Sequence, residues 1–393
     1  MTTNKIRRNE KLKLKGSFKK NGFDFWRLVA NGISVVSGEE KTFYIEFYVV
    51  NPALSQKECV LGFKNRFNKS AEDLHYVMAG TETAKNFSSQ VFVKPAFFLI
   101  RAGVLSESAM TFNTYYPAGD VFTSKKDAVF WLKGQGAPEC ALGDDFTFGA
   151  VKVSKQDLIE HPEYMGNSGS LSWDLKFKKS LPFPSECTAK ESHWQVLAAK
   201  NDFTGKVVLN GEEYAVNPKK SFGYYDKNWG EDFATPFFHL SSSNLTSAIS
   251  GKLLESSAFV VQGEYKKRVS VLVSLEGKTI EFRADGMKKY SVNFDCQEVA
   301  GSDNETLQLH WSVSVADKRH VIDIDIFSST KEMSLRHFET PIGGRKMMKI
   351  LAGGGGTGTF KVYKKLRKSL ELIEQAEIAK CVCEYGNLET AEK

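Results

Sequence analysis

Apolar and polar residues alternate along much of this chain with a period of two. In Leu171–Lys178, Leu171, Trp173, Leu175 and Phe177 alternate with Ser172, Asp174, Lys176 and Lys178. Leu307, Leu309, Trp311, Val313 and Val315 repeat the pattern, as do Ile322, Ile324 and Ile326 around Asp323 and Asp325. Successive side chains of a strand point to opposite faces, so this pattern predicts half-buried antiparallel strands. Thr42–Asn51, rich in β-branched and aromatic residues, predicts another. Asn210-Gly211 between Val207-Val208-Leu209 and Glu212-Glu213-Tyr214 predicts a tight hairpin, and Glu276-Gly277-Lys278 turns a second one within Ser270–Arg283.

Helical spacing is confined to two places. Ser154–His161 predicts a short helix that Ser154 caps and Asp157 reciprocates. Lys364–Lys380 sets Leu366, Leu370 and Ile373 on one stripe and predicts a C-terminal helix. Its basic residues come first and its acidic ones last, against the helix dipole, so that helix depends on docking its stripe. The whole pattern predicts an all-β protein of two tandem antiparallel units, barrel or sandwich in form, with a C-terminal helix. The strands around Trp173 and Trp311 echo each other, and a boundary near Asp232–His239 precedes Ser241-Ser242-Ser243. The expected organisation is a basic arm over 1–20, a first β domain with a pocket over 21–235, a second over 236–365, and a helix and tail over 366–393.

Composition adds three points. A chain of 393 residues, 41% hydrophobic and 25% charged, is globular and long enough for two domains. With 29 Phe, 13 Tyr and 6 Trp it favours pleated surfaces and apolar cavities. The net charge of +6 is concentrated in residues 1–20, where eight basic residues face the single acid Glu10. That predicts a solvated arm, removable without loss of fold, that can touch an anionic membrane surface. Nothing after it reads nucleic acid, and no such partner is expected.

No run of residues suits a secretory signal or a membrane-spanning helix. The six cysteines are scattered and read as reduced thiols, so the expected location is cytoplasmic, with peripheral membrane contact through the arm. The seven histidines show no zinc spacing, and no metal is expected. The run Gly353-Gly354-Gly355-Gly356-Thr357-Gly358-Thr359 lacks the Lys-Ser/Thr ending of a phosphate loop and reads as a flexible entry to a strand that begins at Phe360.

Candidate chemistry lies in Gly223-Tyr224-Tyr225-Asp226-Lys227-Asn228-Trp229-Gly230. On a strand, Tyr224, Asp226 and Asn228 share one face, and Tyr225, Lys227 and Trp229 the other. A carboxylic acid beside aromatics in an apolar pocket is equipped to orient or protonate a hydrophobic guest. His193-Trp194 lies one hairpin upstream, so either residue can sit across from Tyr224 and Asp226, though on opposite faces from each other.

These motifs, with Phe23-Asp24-Phe25-Trp26-Arg27 and Ser172-Trp173-Asp174-Leu175, resemble those of the tocopherol cyclase-like proteins. More distantly they are similar to the superfamily of carotenoid 1,2-hydratase and AttH-type lipocalin-like proteins. The resemblance spans most of residues 20–365 in order. It implies two lipocalin-like units and a pocket for an isoprenoid, polyketide or other lipid-like guest. Enzymes of this kind add a proton or water across an alkene, cyclise a prenyl chain or template a cycloaddition. The resemblance makes Asp226 the acid, with Tyr224 and His193 as catalytic partners and Trp194, Asn228, Trp229, Trp173 and Trp26 as substrate contacts. It departs from the hydratase-like spacing, in which one residue separates the His from the Trp, and from the tandem aromatic-glycine pattern of plant cyclases. The expected activity is a cofactor-independent cyclase, hydratase or isomerase. The alternative is a non-catalytic lipid-binding protein of lipocalin type.

Overall fold

The computed structural model describes residues 8–62, 94–123, 128–132, 140–189, 192–220, 222–264, 268–286, 289–301, 306–343 and 347–389. About two thirds of them lie in two antiparallel sheets. The first has thirteen strands, running in sequence from Phe23–Ser34 to Gly223–Gly230; the second has eleven, from Phe237–Ser242 to Leu370–Glu389. Each unit encloses an apolar core, built around Trp26, Phe47 and Trp173 in the first and Trp311, Ile324 and Phe360 in the second. A third apolar cluster joins them, with Phe25, Tyr48, Trp194 and Tyr224 meeting Phe237, Val260, Phe338 and Ile350. The all-β expectation holds.

That third cluster explains why some first-unit strands do not alternate. Phe23–Ser34, Phe97–Val104 and Gly223–Gly230 are buried on both faces, one towards their own core and one towards the second unit. The alternating strands, such as Gly169–Lys179 and Leu307–Ala316, keep one wet face. Both expected hairpins form. Asn210 and Gly211 take φ of 50° and 91°, and Glu276 and Gly277 take 42° and 82°, the left-handed pair that a two-residue turn requires. The short helix Lys155–Glu160 carries the capping box of Ser154 and Asp157.

Three expectations are corrected. The C-terminal helix is instead a strand, Leu370–Glu389, paired with Met347–Lys365. Leu366, Leu370 and Ile373 are exposed, so the stripe was not a core face, whereas Ala376, Ile378, Cys381 and Cys383 are buried. The charge order that opposed a helix suits this hairpin: Lys364 lies opposite Glu371, and the basic run meets the acidic one across the strands. The glycine run lies within the Met347–Lys365 strand rather than before it. Gly354 donates its N–H to the Leu105 carbonyl at 2.7 Å, and a Cβ there would meet Thr42 at 2.6 Å, so the units touch backbone to backbone.

The arm is the third correction. Asn9, Glu10 and Leu14 are only 1%, 1% and 2% exposed. Both Glu10 oxygens accept from Lys179 Nζ, at 2.6 and 2.7 Å, and Asn9 bonds Gln195. From Asn9 to Leu14 the segment packs against the first unit, whereas residues 15–20 are exposed and residues 1–7 lie outside the described residues.

Candidate active site at the junction of the two units

Cross-strand register builds the site. In the first sheet Asp226 lies opposite Arg27, Arg27 opposite Glu46, and Glu46 opposite Arg101. One level of that sheet therefore carries four charges of alternating sign. The second sheet places His239 between Glu384 and Gln262, with Arg336 on the nearby Met333–Glu339 strand.

The two rows interlock. Arg27 Nε and Nη2 donate to Asp226 Oδ1 and Oδ2 at 3.2 and 2.6 Å, and Nη1 donates to Glu384. Arg336 donates to Glu384 and pairs with Glu46, which Arg101 Nη1 reaches at 3.4 Å. All six side chains are at most 1% exposed, and three acids balance three arginines. Burial on this scale is tolerable only with such pairing.

The surroundings set the charges. Burial pushes Glu384 up, but Arg27 and Arg336 overcome it and hold the carboxyl at about 2. Burial likewise pushes Asp226 up, and Arg27 offsets this only in part, so Asp226 remains raised. Trp194 Nε1 and the Tyr224 hydroxyl donate to Asp226 Oδ2 at 3.0 and 2.9 Å. Burial, then Asp226, raise the Tyr224 phenol well above its ordinary value.

His239 is pushed far down by burial and then by Arg27, and is therefore neutral. Arg27 Nη2 lies 3.2 Å from its Nε2 and can only donate, so Nε2 accepts and Nδ1 carries the hydrogen. Nδ1 then donates to Gln262 Oε1 at 3.1 Å, and Gln262 Nε2 donates to Asn228 Oδ1 at 2.5 Å. This relay fixes the Asn228 amide with Nδ2 free of any acceptor among the described residues.

The sequence candidates fall in three places. Asp226, Tyr224, Trp194 and Asn228 come together at the junction. His193 does not: its ring stacks on Trp229 at 5.5 Å, and Nδ1 lies 3.0 Å from Glu186. Trp229 lies near Lys13 and Lys227 on that same side. Trp173 belongs to the first core and donates to Thr147 at 3.0 Å, while Trp26 donates to the Glu10 carbonyl at 2.7 Å. Among the described residues Trp26, Phe47 and Trp173 pack into the first core, and the face bearing Asp226 looks across to the second unit. A crevice of about 10 Å³ touches Arg27, Asn228 and Glu384. A larger open hollow of about 510 Å³, around Asp295 and Asp323, shares no lining residue with it.

Sequence reading missed Arg27, Glu46, Arg101, His239, Arg336 and Glu384. A signal for three was present: Arg27, Glu46 and Arg101 each interrupt an otherwise apolar strand core, in FWRLVA, TFYIEFYVV and FFLIRAGV. A lone charge in such a run needs a buried partner.

No protein-family model matches the chain, and no curated protein matches it. Among solved structures, the chain is similar to an AttH-type protein of Nitrosomonas europaea, with 11% identity and a TM-score of 0.39 over 94% of this chain and 97% of that one. It is also similar to kievitone hydratase from Nectria haematococca, with 9% identity and a TM-score of 0.42 over 96% and 92%. At such identity these are likenesses of overall β architecture, and the chemistry rests on the site itself.

Proposed function

We propose that the chain is a cofactor-independent enzyme of the hydratase or cyclase kind, moving a proton on an unsaturated, hydrophobic, isoprenoid-like substrate at the junction. The observation that carries this is the convergence of Arg27, Trp194 and Tyr224 on one fully buried carboxylic acid, Asp226. Phe25, Phe233, Phe237 and Phe338 wall the same junction. Protonating an alkene calls for an acid kept from water and for ring faces to stabilise the cation. Burial supplies a raised Asp226, and Tyr224 completes a two-residue path for its proton. Adding water or closing a ring neither oxidises nor reduces the substrate, so side-chain acids suffice for the chemistry. In hydration, one alkene carbon takes the Asp226 proton, the other takes water, and the water's surplus proton restores the acid.

The test begins with native mass spectrometry of protein purified from its own host, to capture a co-purified ligand. Asp226→Asn is then expected to retain that ligand while turnover falls by roughly 10²–10⁴-fold. Wild-type protein that binds the ligand without ever converting it would establish a binding protein instead.

A further inference from the structure

The strands Met347–Lys365 and Leu370–Glu389 meet in a hairpin whose tip stands clear of the second core. Residues 364–373 are all exposed. Among them Leu366, Leu370, Leu372 and Ile373 are between 42% and 53% exposed. Leu370 lies opposite Lys365 and Leu372 opposite Tyr363, so the two leucines share a strand face. Leu366 closes the turn by donating its N–H to the Ser369 carbonyl at 2.9 Å. Two further turns flank this tip. Lys365 donates its N–H to the Arg319 carbonyl, and Ala248 donates to the Gln375 carbonyl, each at 2.7 Å. Ile249, on the second of these turns, is 63% exposed.

The same end of the unit is basic. Lys364, Lys365, Arg367 and Lys368 surround the leucines, Lys318 and Arg319 stand on one flanking turn, and Lys252 on the other. Over residues 248–252, 317–319 and 364–374, these seven cations meet three acids, Asp317, Glu371 and Glu374. The acids of the open hollow lie back along the sheet, with Asp323 opposite Lys361 and Asp325 opposite Thr359. Lys361 is four residues of strand from Lys365, roughly 13 Å, which exceeds the screening length of about 8 Å at physiological salt. The tip therefore presents positive charge and apolar surface together, with the acidic region set behind it.

We propose that this end of the second unit docks on an anionic lipid bilayer, with the hairpin entering tip first. The basic heads meet the lipid headgroups, while Leu366, Leu370, Leu372 and Ile373 pass between them to the acyl boundary. A cluster of exposed apolar side chains marks a surface with a partner. A nucleic acid would neutralise the cations and leave the leucines in water, and an apolar protein face would bury the leucines and strand the cations. An anionic bilayer uses both. The basic arm is less well equipped, because its exposed Lys15, Lys19 and Lys20 accompany Phe18 alone. Docking of this kind is independent of the chemistry at the junction.

The test sediments the full-length protein with vesicles of phosphatidylcholine, alone or mixed with phosphatidylserine. Wild type is expected to bind the mixed vesicles at least about tenfold more tightly, and more weakly as salt rises. Leu370→Ser with Leu372→Ser removes apolar surface and leaves the charge. Arg367→Glu with Lys368→Glu reverses charge and leaves the leucines. Each pair is expected to weaken binding at least about tenfold. Lys15→Glu with Lys19→Glu, on the arm, is expected to leave it nearly unchanged. All these positions are exposed, and an unchanged melting temperature shows that a variant keeps its fold. If one hairpin pair fails to fold, the other decides the matter. No preference for the mixed vesicles would overturn the proposal. Leucine variants that bind as wild type does would also overturn it, leaving a site for polyanions without insertion. A loss from the arm pair as large as that from the hairpin pairs would place the contact on the arm instead.

Discussion

The Gly223–Gly230 strand buries charge on both faces, by different means. On the junction side, Asp226 belongs to a balanced row of guanidinium forks and carboxylates drawn from both units. On the other side, Lys227 pairs with Asp24 at 2.9 Å and donates to the Glu10 and Lys11 carbonyls, with the Trp26 ring 4.5 Å away. Burial lowers Lys227 to about 8 despite Asp24, whereas Asp226 and Glu384 overcome burial and raise Arg27. A planar fork satisfied by two carboxylates holds its charge more firmly in the dark than a single ammonium with one carboxylate does. The faces also differ in what remains unspent. The N-terminal segment covers the Lys227 side, while at the junction Asn228 Nδ2 has no acceptor among the described residues. The proposed chemistry therefore lies on the junction side.

The sharpest way to break this comparison is to remove one cation from each face. Arg27→Met strands Asp226 and Glu384 together, and is expected to cost about 3–5 kcal/mol in urea unfolding. Arg27→Lys should recover only part of it, because an ammonium cannot bridge two carboxylates as a fork does. Lys227→Met should cost less, roughly 1–3 kcal/mol, because Asp24 is already raised by burial and can take up a proton. Equal losses from Arg27→Met and Lys227→Met would show that the two clusters are energetically alike.

Titration separates the faces by sign. Lys227 falls from 10.5 to about 8, so between those values the unfolded chain binds more protons and stability rises with pH. Glu384 falls from 4.5 to about 2, so its contribution is full above 4.5 and is lost as pH drops towards 2. Urea midpoints measured across pH should show both limbs. Lys227→Met should flatten the alkaline one alone; if it leaves that slope unchanged, Lys227 is not the group responsible.

The N-terminal segment gives a smaller effect. Glu10 is raised by burial in spite of Lys179, and its oxygens are the partners that Lys179 uses there. Glu10→Ala frees Lys179, 19% exposed, to turn to water, at an expected cost of about 1–2 kcal/mol. No measurable loss would restore the picture of a solvated arm.

Much of the fold was legible because strands with one wet face print their period directly, as Gly169–Lys179 and Leu307–Ala316 do. The turns were legible because Asn210-Gly211 and Glu276-Gly277 supply positive φ cheaply. The C-terminal strand was misread because three exposed apolar residues happen to fall at helical spacing, while the bend at Lys380, with φ of 52°, shifts the phase of its buried positions. The site was half legible. Period two correctly grouped Tyr224, Asp226 and Asn228, but nothing local says that their face meets a second unit. Glu384 lies 357 residues from Arg27, and only register over both sheets brings them together.

The smallest expected effect tests whether the faces are separate in function. His193 shares its strand with Trp194, yet Trp194 reaches Asp226 while His193 stacks on Trp229 and bonds Glu186 near the surface. His193→Ala gives up one partly buried ring contact and one partly exposed bond, worth about 0.5–1 kcal/mol. Trp194→Phe removes the indole donor to Asp226 while keeping an aromatic wall, and should lower turnover with little change in ligand retention. Measured side by side, Trp194→Phe should move kcat and His193→Ala should not. If His193→Ala depresses kcat as far as Trp194→Phe does, proton movement crosses the strand. The division between a face that carries the proposed chemistry and a sealed one then fails.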